Sequence, residues 1–510
     1  MKECAAKKAS VNENFVIYFV KLLLLDPNWG ITSDFVSSRD NVDSFINQVI
    51  AEMEAQQFPK IITLQMQFYF TCNMELMTTA VKRNRKDIFD HLVRLQNDIV
   101  KTEEVGPEEI TKYTRKIICY ITLLSGLGNP TMNTVFTEAL KAFNSVMDET
   151  ELMEFVQSTK GDKEEQLQQL VKVVTGIRLF NKDCQKGGEG IEDKSGKFAI
   201  MHGKLYLTIQ RSRIGTGVLL RIHESMRVDR HGQWLTNARA RNTSILPYLL
   251  RNALKFFTQE LQDTLLTIME KVNLLTTIVD KCYVVQQTEE GLKMVCTLTP
   301  EFAEVYMENV KDLLILYRQF ELFVRKILED MEKMSDHLKL VFCRFDDALR
   351  KIHLTVYMRI AIPANIIFPL FEALSHVWTE MQDQVLLLAK NSQILANLHS
   401  FSKYTYYNRE LFESIVQDDC AYTDAERLEE TANLIIESDN NEVEIYSVDD
   451  FPDIDKIQLE YLGFCCWKMI ETEGGLVPGN PSMGVARYDD KNYVFSTPEA
   501  CVQFSKNPKE

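Results

Sequence analysis

Residues 310–352 read VKDLLILYRQFELFVRKILEDMEKMSDHLKLVFCRFDDALRKI. From Val310, apolar residues recur at alternating steps of three and four: Leu313, Tyr317, Phe320, Val324, Ile327, Met331, Met334, Leu338, Val341, Phe345, Ala348 and Ile352. Six heptads at this spacing put one narrow apolar seam along a single long helix, and such a seam must be buried against another helix. The nearest seam of the same spacing lies upstream, at Leu265, Ile268, Val272, Leu275, Val279 and Cys282. Together they predict a long antiparallel helical hairpin turning across about 285–302, with a two-stranded coiled coil between two copies as the competing reading. A third helix is expected over 371–398, after the breaks at Pro363 and Pro369.

Toward the N-terminus, helical text fills 12–25, about 40–56, 59–97, 107–124, 131–147 and 150–158, with SGLGNP at 125–130 as a turn. Gly161-Asp162-Lys163-Glu164 opens a further helix with Asp162 as its expected N-cap, carrying Leu167, Leu170, Val173, Val174 and Ile177 to Phe180. Toward the C-terminus, 437–455 holds eight acidic residues and no basic one, which reads as a solvated linker. The last fifty residues change period. Residues 463–469 read as a strand, and Met483–Arg487 and Asn492–Phe495 as two more around the turn Tyr488-Asp489-Asp490-Lys491. Ser496-Thr497-Pro498-Glu499 then starts a capped helix. The expected class is mainly α: an elongated multi-helix body with a long antiparallel helical hairpin and a small C-terminal α+β module. The expected divisions are 1–160, 161–193, 194–247, 248–400, 401–455 and 456–510.

The 510 residues are 45% hydrophobic and 25% charged, so the chain can bury a core. Lys and Arg total 57 against 73 Asp and Glu, a net charge of −16 that opposes general binding to phosphate backbones. The apolar run Phe15–Leu25 is broken by Lys21 and is shorter than the ~20 residues a bilayer requires, and it lacks a secretory cleavage site. A soluble protein with no membrane partner is therefore expected. Eleven scattered cysteines fit reduced thiols in an intracellular compartment. One stretch departs from the rest: Lys194–Arg241 holds ten basic and two acidic residues, and 194–247 is expected to be a flexible insertion. Tyr206 and Trp234 among these bases raise nucleic-acid binding as a minor alternative, without a recognisable module.

The glycines of 187–190 invite a phosphate-loop reading, but the spacing opposes it. Such a loop needs a glycine directly before its lysine and a strand ahead of it. Here Asp193 precedes Lys194, Glu189 and Glu192 add negative charge, and a helix leads in. A nucleotide-gated switch or enzyme at Gly187–Gly190 is kept as the alternative function. Cys184 between Lys182 and Lys186 could be an activated thiol, with a structural thiol the simpler reading. Cys465, Cys466 and Cys501 lack the CxxC pairs or later histidines that zinc would require. No catalytic, cofactor or metal residues are expected. The interface candidates are Arg178, Phe180, Lys182, Gly187, Gly188 and Gly190, and in the last module Phe464, Trp467, Tyr488 and Tyr493, for which a core role is equally expected.

Several stretches resemble the cilia- and flagella-associated protein 206 family: CAAKKASVNENFVIYFVKLLLLDPNWG at 4–30, ITLLSGLGNPT at 121–131, GDKEEQLQQLVKVVTGIRLFNKDCQKGGEGIED at 161–193, IAIPANIIFPLFEALSHVW at 360–378 and YLGFCCWKMIETEGGLVPGNPSMGVARYDDKNYVFSTPEACVQFSKNP at 461–508. They follow one another in order along the chain. The basic segment at 194–247 has no counterpart in the resemblance, and members of the family continue beyond the length seen here. The resemblance implies a non-catalytic structural adaptor of motile cilia and flagella. Its partners would be components of the second radial spoke and the adjacent inner dynein arm on the doublet microtubule, with no nucleic acid and no membrane. The implied location is the cytoskeleton of the axoneme, with the basal body as a further site.

Overall fold

The structure is a computed structural model that describes residues 13–25, 43–47, 49–50, 59–106, 108–184, 186, 245–288, 291–296, 300–359, 361–402, 407–416, 421–438, 440–447, 457–471 and 475–509. The fold is mainly α. In chain order its helices are α1 (Glu13–Leu25), α2 (Pro59–Val100), α3 (Ile110–Ser125), α4 (Asn133–Asn144), α5 (Glu149–Gln157), α6 (Lys160–Asp183) and α7 (Ile245–Cys282). A two-stranded hairpin, β1 (Tyr283–Thr288) and β2 (Gly291–Cys296), precedes α8 (Pro300–Val356), α9 (Ala364–Ser402), α10 (Arg409–Val416) and α11 (Asp424–Thr431). The chain closes with β3 (Glu444–Tyr446), α12 (Cys466–Glu471), β4 (Val485–Tyr488), β5 (Lys491–Tyr493) and α13 (Pro498–Lys506). Among the described residues no helix is long and apolar enough to cross a membrane. Residues 194–244 of the basic segment and the glycines at 187–190 lie outside the described residues, and 245–247, expected in the flexible insertion, begin α7.

The chain forms two compact units. One gathers Met1–Thr71, Asp263–Arg325 and Leu398–Glu510, the other Cys72–Gln262 and Lys326–Asn397. The quoted seam is buried as its spacing requires: of its thirteen positions only Ala348 is half-buried. In the first unit α8 is enclosed on several sides. Lys271 of α7 donates to the Tyr317 hydroxyl at 3.2 Å, Phe70 of α2 stacks on Phe323 with ring centroids 4.1 Å apart, and His399 of α9 meets Phe320 edge-on at 5.4 Å. Burial there extends to Leu314, Leu316, Arg318 and Glu321, wider than a two-helix seam. Phe15 and Phe19 of α1 pack on Ile61 and Phe68 of α2. In the second unit Arg251 of α7 lies over the Phe342 ring and Arg344 of α8 pairs with Glu380 of α9 at 2.7 Å. The expected antiparallel pairing of α7 and α8 follows from Lys271–Tyr317 and Met269–Arg325.

Four local expectations are corrected. Helix α6 is capped by Thr159, whose hydroxyl accepts the Asp162 backbone N–H, so Asp162 belongs to the first turn. Helix α9 begins at Ala364 and carries Pro369 internally, where the ring gives up the backbone bond to the Asn365 carbonyl and the helix continues. Residues 466–471 form α12 where a strand was expected, since Tyr461, Leu462 and Gly463 all take left-handed backbone angles and turn the chain before Cys466. The acidic stretch read as a linker holds strand β3, and 401–455 also carries α10 and α11. Phe412, Val416, Ile436 and Val443 are buried there.

The C-terminal hairpin and helix match expectation. Strands β4 and β5 pair with Tyr488 opposite Lys491. The two turn residues Asp489 and Asp490 both have positive φ, at 50° and 59°, the geometry that matches hairpin twist. Thr497 caps α13 ahead of Pro498.

Candidate functional site

Helix α6 carries the signature TGIRLF, and its side chains hold the second unit together. Gly176 lies against α9 so closely that a Cβ there would fall 2.2 Å from the Phe371 carbonyl oxygen. Two residues on, Arg178 is 0% exposed. Its Nε donates to Glu138 Oε2 of α4 and its Nη2 to the Leu127 carbonyl, both at 2.7 Å. Burial pushes the Glu138 carboxyl up, and the Arg178 and Lys182 charges oppose that rise. Leu127 belongs to the SGLGNP turn, which α9 holds from its other side. Trp378 Nε1 and Gln382 Nε2 each donate to the Ser125 carbonyl at 3.0 Å. Gly126, at φ 65°, ends α3 in the left-handed conformation that frees that carbonyl. At the start of α6, Lys163 is 2% exposed and donates to the Thr102 carbonyl at 2.7 Å, just beyond the end of α2.

Arg178 therefore sits in the core and is not a surface available to a partner. Phe180 is half-buried, 4.8 Å from the His353 ring and 6.0 Å from Phe371. Lys182 is half-buried as well. His353 Nε2 lies 2.7 Å from Asp183 Oδ2. Burial and the Asp183 charge raise the Cys184 thiol against the opposing charge of Lys186, which contradicts the activated-thiol reading.

The C-terminal module is built around Cys465, Cys466, Ala486, Phe495, Cys501 and Phe504, with Trp467, Tyr488 and Tyr493 packed against them. Tyr493 lies 5.1 Å from Phe504, and burial pushes its hydroxyl up to about 12. Phe464 is half-buried and bridges to Pro478. Arg318, 2% exposed, fixes α8 to this end of the first unit. It donates to both Asp424 oxygens at 2.6 Å, to Glu321 at 2.8 Å and to the Leu476 carbonyl at 3.0 Å. In the PGNP stretch, Asn480 Nδ2 donates to the Leu428 carbonyl at 2.8 Å and to Thr431 Oγ1 at 2.9 Å. A Cβ on Gly479 would fall 2.7 Å from Val494.

Sequence reading passed over the part of this module that faces outward. Tyr461 is 50% and Leu462 79% exposed, on a short turn where both take positive φ. Each such non-glycine residue costs about 1–2 kcal/mol. The EYLG text signals only the glycine.

Burial also sets thiol reactivity. Cys466 and Cys501 are each pushed up to about 12 by burial, whereas Cys343 is exposed. A thiol with such a pKa is almost wholly protonated near pH 8 and is shielded by burial, so alkylation of the native protein is expected at the exposed Cys343 at least about tenfold faster than at either buried cysteine. Mass spectrometry of alkylated peptides checks this, and denaturant should abolish the difference.

No solved structure matches the chain. The family model FAP206, described as a domain of unknown function, matches residues 249–510, just over half of the chain. The cilia- and flagella-associated protein 206 of Bos taurus is 29% identical over 514 residues, covering 100% of this chain and 72% of its own length. The proteins of that name from Rattus norvegicus and Mus musculus are each 28% identical over 510 residues, covering 99% of this chain and 72% of their own. The ordered stretches at 121–131, 161–180 and 461–508 are those whose glycines, arginine and asparagine make the close contacts described above, and with these matches they place the chain in the cilia- and flagella-associated protein 206 family.

Proposed function

We propose that this chain is a non-catalytic structural adaptor of the motile cilium and flagellum. In this reading it helps dock the second radial spoke and the adjacent inner dynein arm on the doublet microtubule, in the cytoskeleton of the axoneme. The observation that carries the reading is the similarity of the whole chain to proteins named for cilia and flagella. The residue chemistry supports it. The charged and polar side chains with the most built surroundings, Arg178 with Glu138 and Arg318 with Asp424, spend their hydrogen bonds fixing one helix to another. Such nodes give rigidity, which a part that sets the position of large assemblies requires. Affinity in such an adaptor comes from a few desolvated contacts spread over several partners.

The test is made in ciliated cells. A tagged chain is expected to stay with axonemes after detergent removes the membrane, and cells without it are expected to keep cilia whose beat is altered. Complete release of the tagged chain with the soluble matrix would contradict the reading.

A further inference from the structure

Within the second unit a cleft of about 600 Å³ runs between α2, α6 and α9, inside the range of about 300–1,000 Å³ typical of ligand pockets. Helix α2 lines it from Asn73 to Phe89. Those sixteen steps along one continuous helix span about 24 Å. Part of the apolar lining is uncovered: Leu76 and Phe89 are each 43% exposed, large for apolar side chains, while Val171 and Ile394 are buried.

The rim has the opposite sign to the protein. Arg83, Arg85, Lys172 and Lys390 line the cleft, against two acids, Asp87 and Asp383. Arg85 pairs with Asp383 from α2 to α9, and partial burial raises the Asp383 carboxyl against the opposing Arg85 charge. Arg83, Lys172 and Lys390 have no carboxylate partner among the described residues. Lys82 and Lys86 flank the same part of α2, so four of the five residues 82–86 are cations in a chain of net charge −16. The cations form a positive field around the exposed apolar side chains of the cleft.

We infer that this cleft is a docking groove for an acidic amphipathic helix of a partner protein, its apolar stripe on Leu76 and Phe89 and its carboxylates facing Arg83, Lys172 and Lys390. A helix of about 18 residues is about 27 Å long, close to the length of α2 that lines the cleft. The apolar floor favours a peptide over a nucleic acid, whose phosphates find nothing to pair with on Leu76 and Phe89.

The test titrates the full chain into a labelled designed helix of about 18 residues with leucine at every third or fourth position and glutamate between. Saturable micromolar binding is expected, at least tenfold tighter than for a scrambled peptide of equal composition. The triple variant Arg83→Glu, Lys172→Glu, Lys390→Glu is expected to weaken it at least tenfold, as is Leu76→Gln with Phe89→Gln. All five are at least partly exposed, and an unchanged melting temperature confirms that each variant is folded. Equal affinity for the scrambled peptide, or full affinity in the triple variant, overturns the inference. So does tighter binding of a single-stranded oligonucleotide of similar length. A dimer of the free protein that the triple variant dissolves overturns it too, because a second copy would then fill the groove.

Discussion

Alanine at position 176 is expected to destabilise the full chain by about 2–3 kcal/mol or more, although glycine to alanine inside a helix ordinarily adds about 1 kcal/mol. The reason is contact between backbones. The added Cβ would lie 2.2 Å from the Phe371 oxygen and 2.6 Å from its carbonyl and α carbons. Those atoms belong to the α9 main chain and cannot swing aside as a side-chain tip would. Helices α6 and α9 must separate, which also strains the bonds from Trp378 and Gln382 to the Ser125 carbonyl. The same substitution near the start of the same helix is the control: a Cβ on Gly161 meets nothing within 4 Å. Thermal unfolding should show Gly176→Ala lowering the transition by about 5–10 °C while Gly161→Ala leaves it unchanged or slightly raised. Equal melting of the two variants would show that α6 and α9 are not held at this distance.

The second large effect is expected at Arg178. Arg178→Met leaves Glu138 buried without its guanidinium and removes the donor from the Leu127 carbonyl. Breaking one side of a buried pair costs about 3–5 kcal/mol. Glu138→Leu combined with Arg178→Met should recover much of the loss, since an apolar pair of similar volume has no charge to strand. A double-mutant cycle by denaturant unfolding measures the coupling. The sign of the pH dependence follows from the carboxyl. Burial already raises Glu138 above its ordinary range, and loss of the opposing arginine raises it further. A carboxyl whose folded pKa lies above its unfolded value makes the folded state bind more protons, so stability falls as pH rises. The deficit of Arg178→Met should therefore be larger near pH 7 than near pH 5. Additive single losses would contradict the pairing.

What was legible in the sequence was what local periodicity and turn chemistry encode. The seam from Val310 to Ile352 announced its own burial. The Asp489-Asp490 turn fixed its hairpin, because only two flanking apolar runs and a tight turn are involved. Periodicity could not say how many helices surround a seam, so the wide burial around Tyr317 and Arg318 was hidden. Arg178 looked like a surface charge because its partner Glu138 lies forty residues upstream, and nothing local marks either as buried. The acidic composition of 437–455 concealed β3. There Ile445 is half-buried while Glu444 is exposed, so charge count and strand pairing are independent. At 463–469 an apolar run without period was compatible with strand or helix, and the preceding left-handed turn decided for helix. Of the interface candidates, Arg178 is used by the fold internally and Trp467, Tyr488 and Tyr493 pack on the core of the last module, whereas Leu76, Phe89 and Leu462 stand out only once burial is known.

The proposal that this chain is a docking part of the axoneme is tested most directly by comparing averaged tomographic density of doublet microtubules from motile cilia with and without it. The account predicts that density at the base of the second radial spoke disappears, with that spoke and the adjacent inner dynein arm lost or displaced while the doublet itself is intact. Unchanged spokes and arms at every position along the repeat would contradict it.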